Sequence, residues 1–305
     1  MGDTDLCYLS ATDARAAFKA RSLSPVEVMQ ALIARAEAVE PHINAMPMTY
    51  FERAMDHARA AESRFMRRNA RIRPLEGIAV AIKDETAIKD EITTQGSLIH
   101  RNRRDAADDI VVERLRRAGA IFIGRTAAPE FSCVSFTHSR LWGVTRNPWN
   151  PDYTPGGSSG GAGASLAAGT TTLANGSDIG GSIRIPASAC GVVGFKPPYG
   201  RVPEAWPYNL DFYCHEGPMA RSVGDCGLFQ NVIAGPHPRD IASLKPKLRI
   251  PEAFGDVKGW RIAVSMDLGY FRVDEEVRRN TEAALDVFRA LGATVEPVDL
   301  GWTED

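Results

Sequence analysis

Two glycine-rich stretches, each carrying a serine, constrain this chain more than any other feature of its 305 residues. The first is Gly156-Gly-Ser-Ser-Gly-Gly-Ala-Gly-Ala-Ser165, and the second is Gly176-Ser-Asp-Ile-Gly-Gly-Ser-Ile-Arg-Ile-Pro186. Glycine adopts backbone conformations closed to other residues, so both stretches predict turns that a second backbone or a ligand can approach closely. Ser158 and Ser182 lie in these turns. A third element, Val80-Ala-Ile-Lys-Asp84, places a lysine at the end of an apolar run. Serine, serine and lysine without histidine is a residue set suited to acyl transfer.

In the second stretch Ser182 follows Gly180 and Gly181 directly. The N–H groups of Ile179, Gly180, Gly181 and Ser182 are candidates for an oxyanion hole. Asp178 is placed to order the turn through hydrogen bonds to nearby backbone, with Arg184 as a second support. A tight loop with a solvated serine explains the same residues.

The first stretch also contains a G-x-S-x-G pattern centred on Ser159, which requires a preceding strand. Pro148, Pro151 and Pro155 stand where that strand would be, and such a segment cannot ladder. No Gly-Lys-Ser/Thr follows, so a phosphate-binding P-loop is excluded as well. The run Gly77–Ile82 reads as a buried strand ending in Lys83. A lysine there ordinarily snorkels to solvent or pairs with Asp84 or Glu85. To accept a proton it has to be neutral, a state that burial favours.

Taken together, these elements resemble the amidase signature family. The resemblance rests on Gly156–Gly161, on Gly176–Pro186, and on Cys190-Gly-Val-Val-Gly-Phe-Lys-Pro197. It extends to Ala81-Ile-Lys-Asp84, Gly119-Ala-Ile-Phe-Ile-Gly-Arg-Thr126 and Trp142-Gly-Val-Thr-Arg-Asn-Pro148. It implies a Ser–cis-Ser–Lys triad: Ser182 as nucleophile, Ser158 after a cis peptide as proton relay, Lys83 as base. Ser159 and Ser177 would hold the relay by hydrogen bonds, and Ser159 would also stand among the oxyanion and substrate-binding residues. No cofactor and no metal are implied.

The chain departs from the family's pattern at Glu85 and Ala127, where asparagine is frequent. Neither is a triad position, so both bear on local loop structure and substrate preference. Family members also run considerably longer. The strand–helix–strand pattern of Trp260–Val264, Asp274–Leu291 and Thr294–Val298 stops at its second strand, which implies a chain incomplete at its C-terminus.

The expected fold is an α/β/α layered one with a central mixed β-sheet covered by helices, forming a single domain over 1–305. Residues 1–70 read as a helical N-terminal part. Ser24-Pro-Val-Glu27 is a capping box with proline at N1, and Pro41 is expected to end that helix. Further helices are expected over 51–68, 109–117 and 161–168, with strands over 120–124 and 171–174. The stretch 236–251 reads as surface loop.

A net charge of −2 argues against a nucleic-acid footprint. The arginine clusters over 64–73, 101–104 and 114–117 read as solvated helix faces. No run has transmembrane length and no signal-peptide pattern opens the chain. Five cysteines without C-x-x-C spacing point to free thiols in a reducing cytoplasm, and Cys190 reads as a buried small residue. The six histidines have no metal-ligand spacing, and hydrogen-bonded or surface roles suffice for His138 and His215.

The expected activity is hydrolysis of a small-molecule amide, with no nucleic-acid or membrane partner and with room for a homodimer. Two alternatives remain at this stage. One is the glutaminase subunit of a tRNA-dependent amidotransferase; the other is a non-catalytic scaffold. Pocket walls are expected from residues 131–142 and 206–214. There Phe131, Phe136, Trp206, Tyr208, Phe212 and Tyr213 fit either an aryl-binding surface or plain core packing.

Overall fold

The computed structural model describes residues 2–303. By contact the chain divides into two compact units, Met1–Glu252 and Ala253–Asp305.

The first unit opens with helices α1 (Asp3–Cys7), α2 (Ala11–Ala20) and α3 (Pro25–Ile43). Strand β1 (Met48–Thr49) and helix α4 (Phe51–Met66) follow, then β2 (Ala79–Lys83), α5 (Ile110–Ala118) and β3 (Ile121–Thr126). A small hairpin of β4 (His138–Ser139) and β5 (Gly143–Val144) leads to α6 (Gly160–Ala168), β6 (Leu173–Asp178) and α7 (Arg184–Cys190). The unit's last elements are β7 (Val193–Gly194), β8 (His215–Ala220) and α8 (Val223–Ile233).

Six of these strands form one mixed sheet in the order β1-β3-β2-β6-β8-β7. Strands β3, β2 and β6 run parallel, while β1, β8 and β7 pair antiparallel with their neighbours. Every residue of β2, β3, β6 and β8 is buried, as expected for strands covered on both faces. The core continues from Phe18, Met29 and Leu32 of the helices through Val80, Ile82 and Ile123 to Phe229.

Local chemistry accounts for the helix ends. The Ser24 hydroxyl accepts from the Val26 amide (3.0 Å) and Glu27 accepts from the Ser24 amide (2.8 Å), so the capping box forms. Asp109 caps α5 by accepting from Val111 (2.8 Å), and Gly119 closes it at φ 87°. Pro41 corrects the sequence reading: it lies inside α3, which runs on to Ile43. In the last turn a proline forfeits a single backbone bond, and left-handed Asn44 makes the true stop. The strand expected over 171–174 runs to Asp178, so Gly176, Ser177 and Asp178 are strand residues and the turn begins at Ile179. Helix α6 is buried except at Ala167. A Cβ on Gly161 would overlap the backbone of Ala45 and Ala127, so glycine there is a packing requirement.

The second unit is built from β9 (Arg261–Val264), α9 (Glu275–Ala290) and β10 (Thr294–Pro297). The two strands pair in parallel, with Thr294 beside Arg261 and Pro297 beside Val264. Among the described residues no helix is long and apolar enough to cross a membrane.

Candidate active site

The parallel strands β2, β3 and β6 end together, so Lys83, Thr126 and the Ser177–Asp178 pair lie at one edge of the sheet. The carboxyl ends of parallel strands are where open α/β sheets place their ligands. Lys83 does not snorkel: its side chain has no exposed surface. Its Nζ donates to Ser158 Oγ (2.8 Å) and Ser177 Oγ (2.8 Å) and pairs with Glu85 Oε2 (2.7 Å).

Ser158 is equally buried, and the Gly157–Ser158 peptide is cis. Thr137 clamps the loop from both sides, donating to the Gly156 carbonyl (2.9 Å) and accepting from the Gly160 amide (3.1 Å). Gly157 lies so close to the next loop that a Cβ would come within 2.6 Å of the Phe136 amide nitrogen. The Ser159 amide donates to the Ser182 carbonyl (3.1 Å), tying the two glycine-rich loops together. The Ser159 hydroxyl donates to the Ser177 carbonyl (3.4 Å). Ser159 is therefore a buried tie between loops, which corrects its assignment to a substrate-facing group. A nucleophile elbow centred on Ser159 fails too, since its hydroxyl meets a carbonyl and no imidazole.

Asp178 organises the second turn. Its carboxylate accepts from the amides of Gly181 (2.7 Å), Ile183 (3.1 Å) and Arg184 (3.2 Å). Arg184 adds a two-pronged guanidinium contact at 2.9 and 2.8 Å. Burial pushes the Asp178 carboxyl up, but these bonds outweigh it and hold the group below its ordinary range. The Gly181 amide is thereby committed to Asp178, a correction to its place among the free oxyanion donors. Among the described residues the amides of Ile179, Gly180 and Ser182 have no partner, and no hydrogen bond reaches the half-buried Ser182 hydroxyl.

Of the two acidic neighbours that the sequence offers Lys83, Glu85 is the one it pairs with. Its Oε2 pairs with Lys83 and accepts from the hydroxyls of Ser132 (2.7 Å) and Ser177 (2.9 Å). Burial raises its carboxyl, yet the Lys83 charge and the three hydrogen bonds bring it below the ordinary value. The residue two places beyond Lys83 thus belongs to the lysine's own surroundings. Asp84 points elsewhere: it accepts from the Thr94 amide (2.8 Å), the Thr94 hydroxyl and Trp142 Nε1 (3.1 Å).

Asn175 links this edge to a second buried acidic group. Its Oδ1 accepts from the Lys83 amide (2.9 Å), and its Nδ2 donates to Thr86 Oγ1 (2.8 Å) and Glu216 Oε2 (2.7 Å). Glu204 Oε1 accepts from the Glu216 amide (2.5 Å). Burial pushes Glu216 up to about 8 and Glu204 to about 9.

The remaining candidates sort readily. Burial raises the Cys190 thiol to about 12, so it stays protonated and inert. Phe131, Phe136, Trp206, Tyr208, Phe212 and Tyr213 are all exposed among the described residues. Among the described residues no group of His, Cys, Asp and Glu side chains is placed to hold a metal ion.

The amidase family profile matches residues 27–304. The chain is 40% identical over 308 residues to a glutamyl-tRNA(Gln) amidotransferase subunit of Carboxydothermus hydrogenoformans, covering 98% of this chain and 62% of that protein. It is 39% identical over 306 residues to an acylamidase of Rhodococcus erythropolis, covering 99% of this chain and 64% of the relative. A bacterial aryl acylamidase of the amidase signature family superposes with a TM-score of 0.90 at 35% identity, over 96% of this chain and 61% of that one. The chain thus spans less than two thirds of the length of these relatives.

Proposed function

The chain belongs to the amidase family, and from that premise we propose that it hydrolyses a carboxylic amide to the acid plus ammonia or an amine through an acyl-enzyme on Ser182. The observation that carries this reading is a fully buried Lys83 whose Nζ lies 2.8 Å from Ser158 Oγ, in the loop tied directly to Ser182.

The chemistry follows from the residues. Neutral Lys83 draws the proton from Ser158 as Ser158 takes the one on Ser182, and Ser182 Oγ attacks the amide carbonyl. The amides of Ile179, Gly180 and Ser182 receive the oxygen that becomes negative. Lys83 then returns its proton through Ser158 to the departing nitrogen, leaving an ester on Ser182. Water enters by the same route in reverse and releases the acid. The exposed aromatic residues favour an aryl or apolar acyl group, and the superposable aryl acylamidase is consistent with it. The hydrolytic reading sets free amides as substrates, turned over without a second protein or tRNA. A series from acetamide to bulky anilides, tested on the full-length protein, reads this directly.

Intact mass spectrometry with a fluorophosphonate probe tests the assignment of the nucleophile. One adduct is expected on the native protein and none on Ser182→Ala. An adduct that survives the substitution overturns the reading.

A further inference from the structure

Lys83 has three N–H donors when protonated, and the structure supplies three acceptors: Ser158 Oγ, Ser177 Oγ and Glu85 Oε2, at 2.8, 2.8 and 2.7 Å. Ser177 also donates its own proton to Glu85 Oε2 (2.9 Å), which leaves its oxygen turned towards the lysine. Ser132 donates to the same carboxylate oxygen at 2.7 Å. It does so from a strained backbone: Phe131 and Ser132 are consecutive non-glycine residues at φ 53° and 56°. Left-handed conformations cost free energy for residues with a Cβ, and they persist where surrounding structure imposes them. The loop is thus bent to bring a hydroxyl onto Glu85.

We propose that Glu85 is a positioning residue for Lys83, one that holds its Nζ against Ser158 and stabilises the ammonium formed when the lysine takes the Ser158 proton. The inference rests on the function proposed above. During attack Lys83 takes the Ser158 proton, and the Glu85 carboxylate stabilises the ammonium that forms. Glu85 therefore raises the rate of attack.

Other charged groups around the pair do not replace it. On its own loop, Asp84 is engaged by Thr94 and Trp142, with buried Arg125 of β3 at 4.0 Å. Asp109 at the start of α5, Glu204, Glu216 of β8, Cys214 and Tyr208 all feel the Glu85 charge. Glu204 and Glu216 are held protonated at neutral pH, and burial first of all raises the Cys214 thiol and the Tyr208 phenol, which stay neutral. Burial lifts Asp109 to about 6. Among the described residues, Glu85 is the carboxylate in direct contact with Nζ.

The test is the second-order rate of fluorophosphonate labelling of Ser182, measured from pH 5 to 10 on the full-length native protein and on Glu85→Gln. In the variant the rate is expected to fall about tenfold across this range. Glu85→Asp, which restores the charge, is expected to bring the rate back towards the native value. If Glu85→Gln does not fold, Glu85→Asn supplies the neutral member of the comparison. A folded neutral variant that labels at the native rate overturns the inference. A native protein that does not label at Ser182 overturns the proposed function instead, so the two failures are distinguishable.

Discussion

Two acidic sites are linked through Lys83 and Asn175, and their carboxyls are shifted in opposite directions. Glu85, beside Lys83, is held below the ordinary carboxylate range although burial alone would raise it. Glu204 and Glu216 have hydrogen bonds but no cation, and they rise to about 9 and about 8. The Glu216 carboxylate accepts from Thr86 (2.7 Å) and Asn175 (2.7 Å), so hydrogen bonding by itself does not reverse the effect of burial. The contrast isolates the buried ammonium as the deciding element.

Removing Lys83 breaks the comparison most severely. In Lys83→Ala, Glu85 loses its counter-charge and is expected to rise as Glu204 and Glu216 do. Fluorophosphonate labelling should fall by about 10²–10⁴-fold, the usual worth of a general base. Stability should drop by about 3–5 kcal/mol, the typical cost of leaving one member of a buried ion pair alone. The double variant Lys83→Ala/Glu85→Gln is then expected to regain stability in a denaturant melt without regaining labelling. Near-native labelling of Lys83→Ala would return the lysine to a structural role.

Ser158→Ala is the next largest effect, because it closes the exit from the Lys83 site. Labelling should fall by at least about 10²-fold. The melting temperature should change only modestly, since a single buried N–H loses its acceptor, at about 1–3 kcal/mol. A crystal structure of the native protein with the Ser158 hydroxyl turned away from Lys83 would contradict the relay.

The smallest effect sharpens the other side of the comparison. Glu204 has an ordinary value of 4.5 and a folded value of about 9. Between these pH values the folded state binds more protons than the unfolded one, so this group's contribution to stability falls as pH rises and levels off above about 9. Glu204→Gln cannot ionise. Its melting temperature should therefore fall by a few degrees less than that of the native protein between pH 6 and pH 9.5. Equal slopes for both proteins would show that Glu204 ionises normally.

Much of the site was legible in the residues. Lys83, Ser158 and Ser182 stood out because two glycine-rich serine turns and a strand-ending lysine form an unusual set. Asp178 was legible as the organiser of its turn, since its partners Gly181, Ile183 and Arg184 are three to six residues away. Glu85 was legible as a departure from the family's pattern and as one of two neighbours with which Lys83 can pair, but not as the acceptor for two serine hydroxyls. Its partners Ser132 and Ser177 are 47 and 92 residues distant, and no local signal announces such contacts. The Gly181 amide was misread for a related reason: a free donor and one taken by Asp178 look the same in sequence. The fold shows the same division. The capped helices α3 and α5 were expected from their end residues, whereas β8 and α8 were missed. The HEGPMA stretch of β8 carries glycine and proline and lacks a clean apolar pattern, and it is held as a strand by pairing with β6.

The amino-acid sequence by itself determined which chemical groups are available and which short-range turns and caps present them, because those depend on backbone preferences over a few residues. The tertiary structure alone decided which carboxylate meets Lys83, which amides near Ser182 stay free, and which buried acids keep their protons. Those outcomes depend on distances between strands and loops far apart in the chain, and on how much water the packed sheet excludes. An electrostatic interaction measured in ångströms of separation and depth of burial has no counterpart in residue spacing.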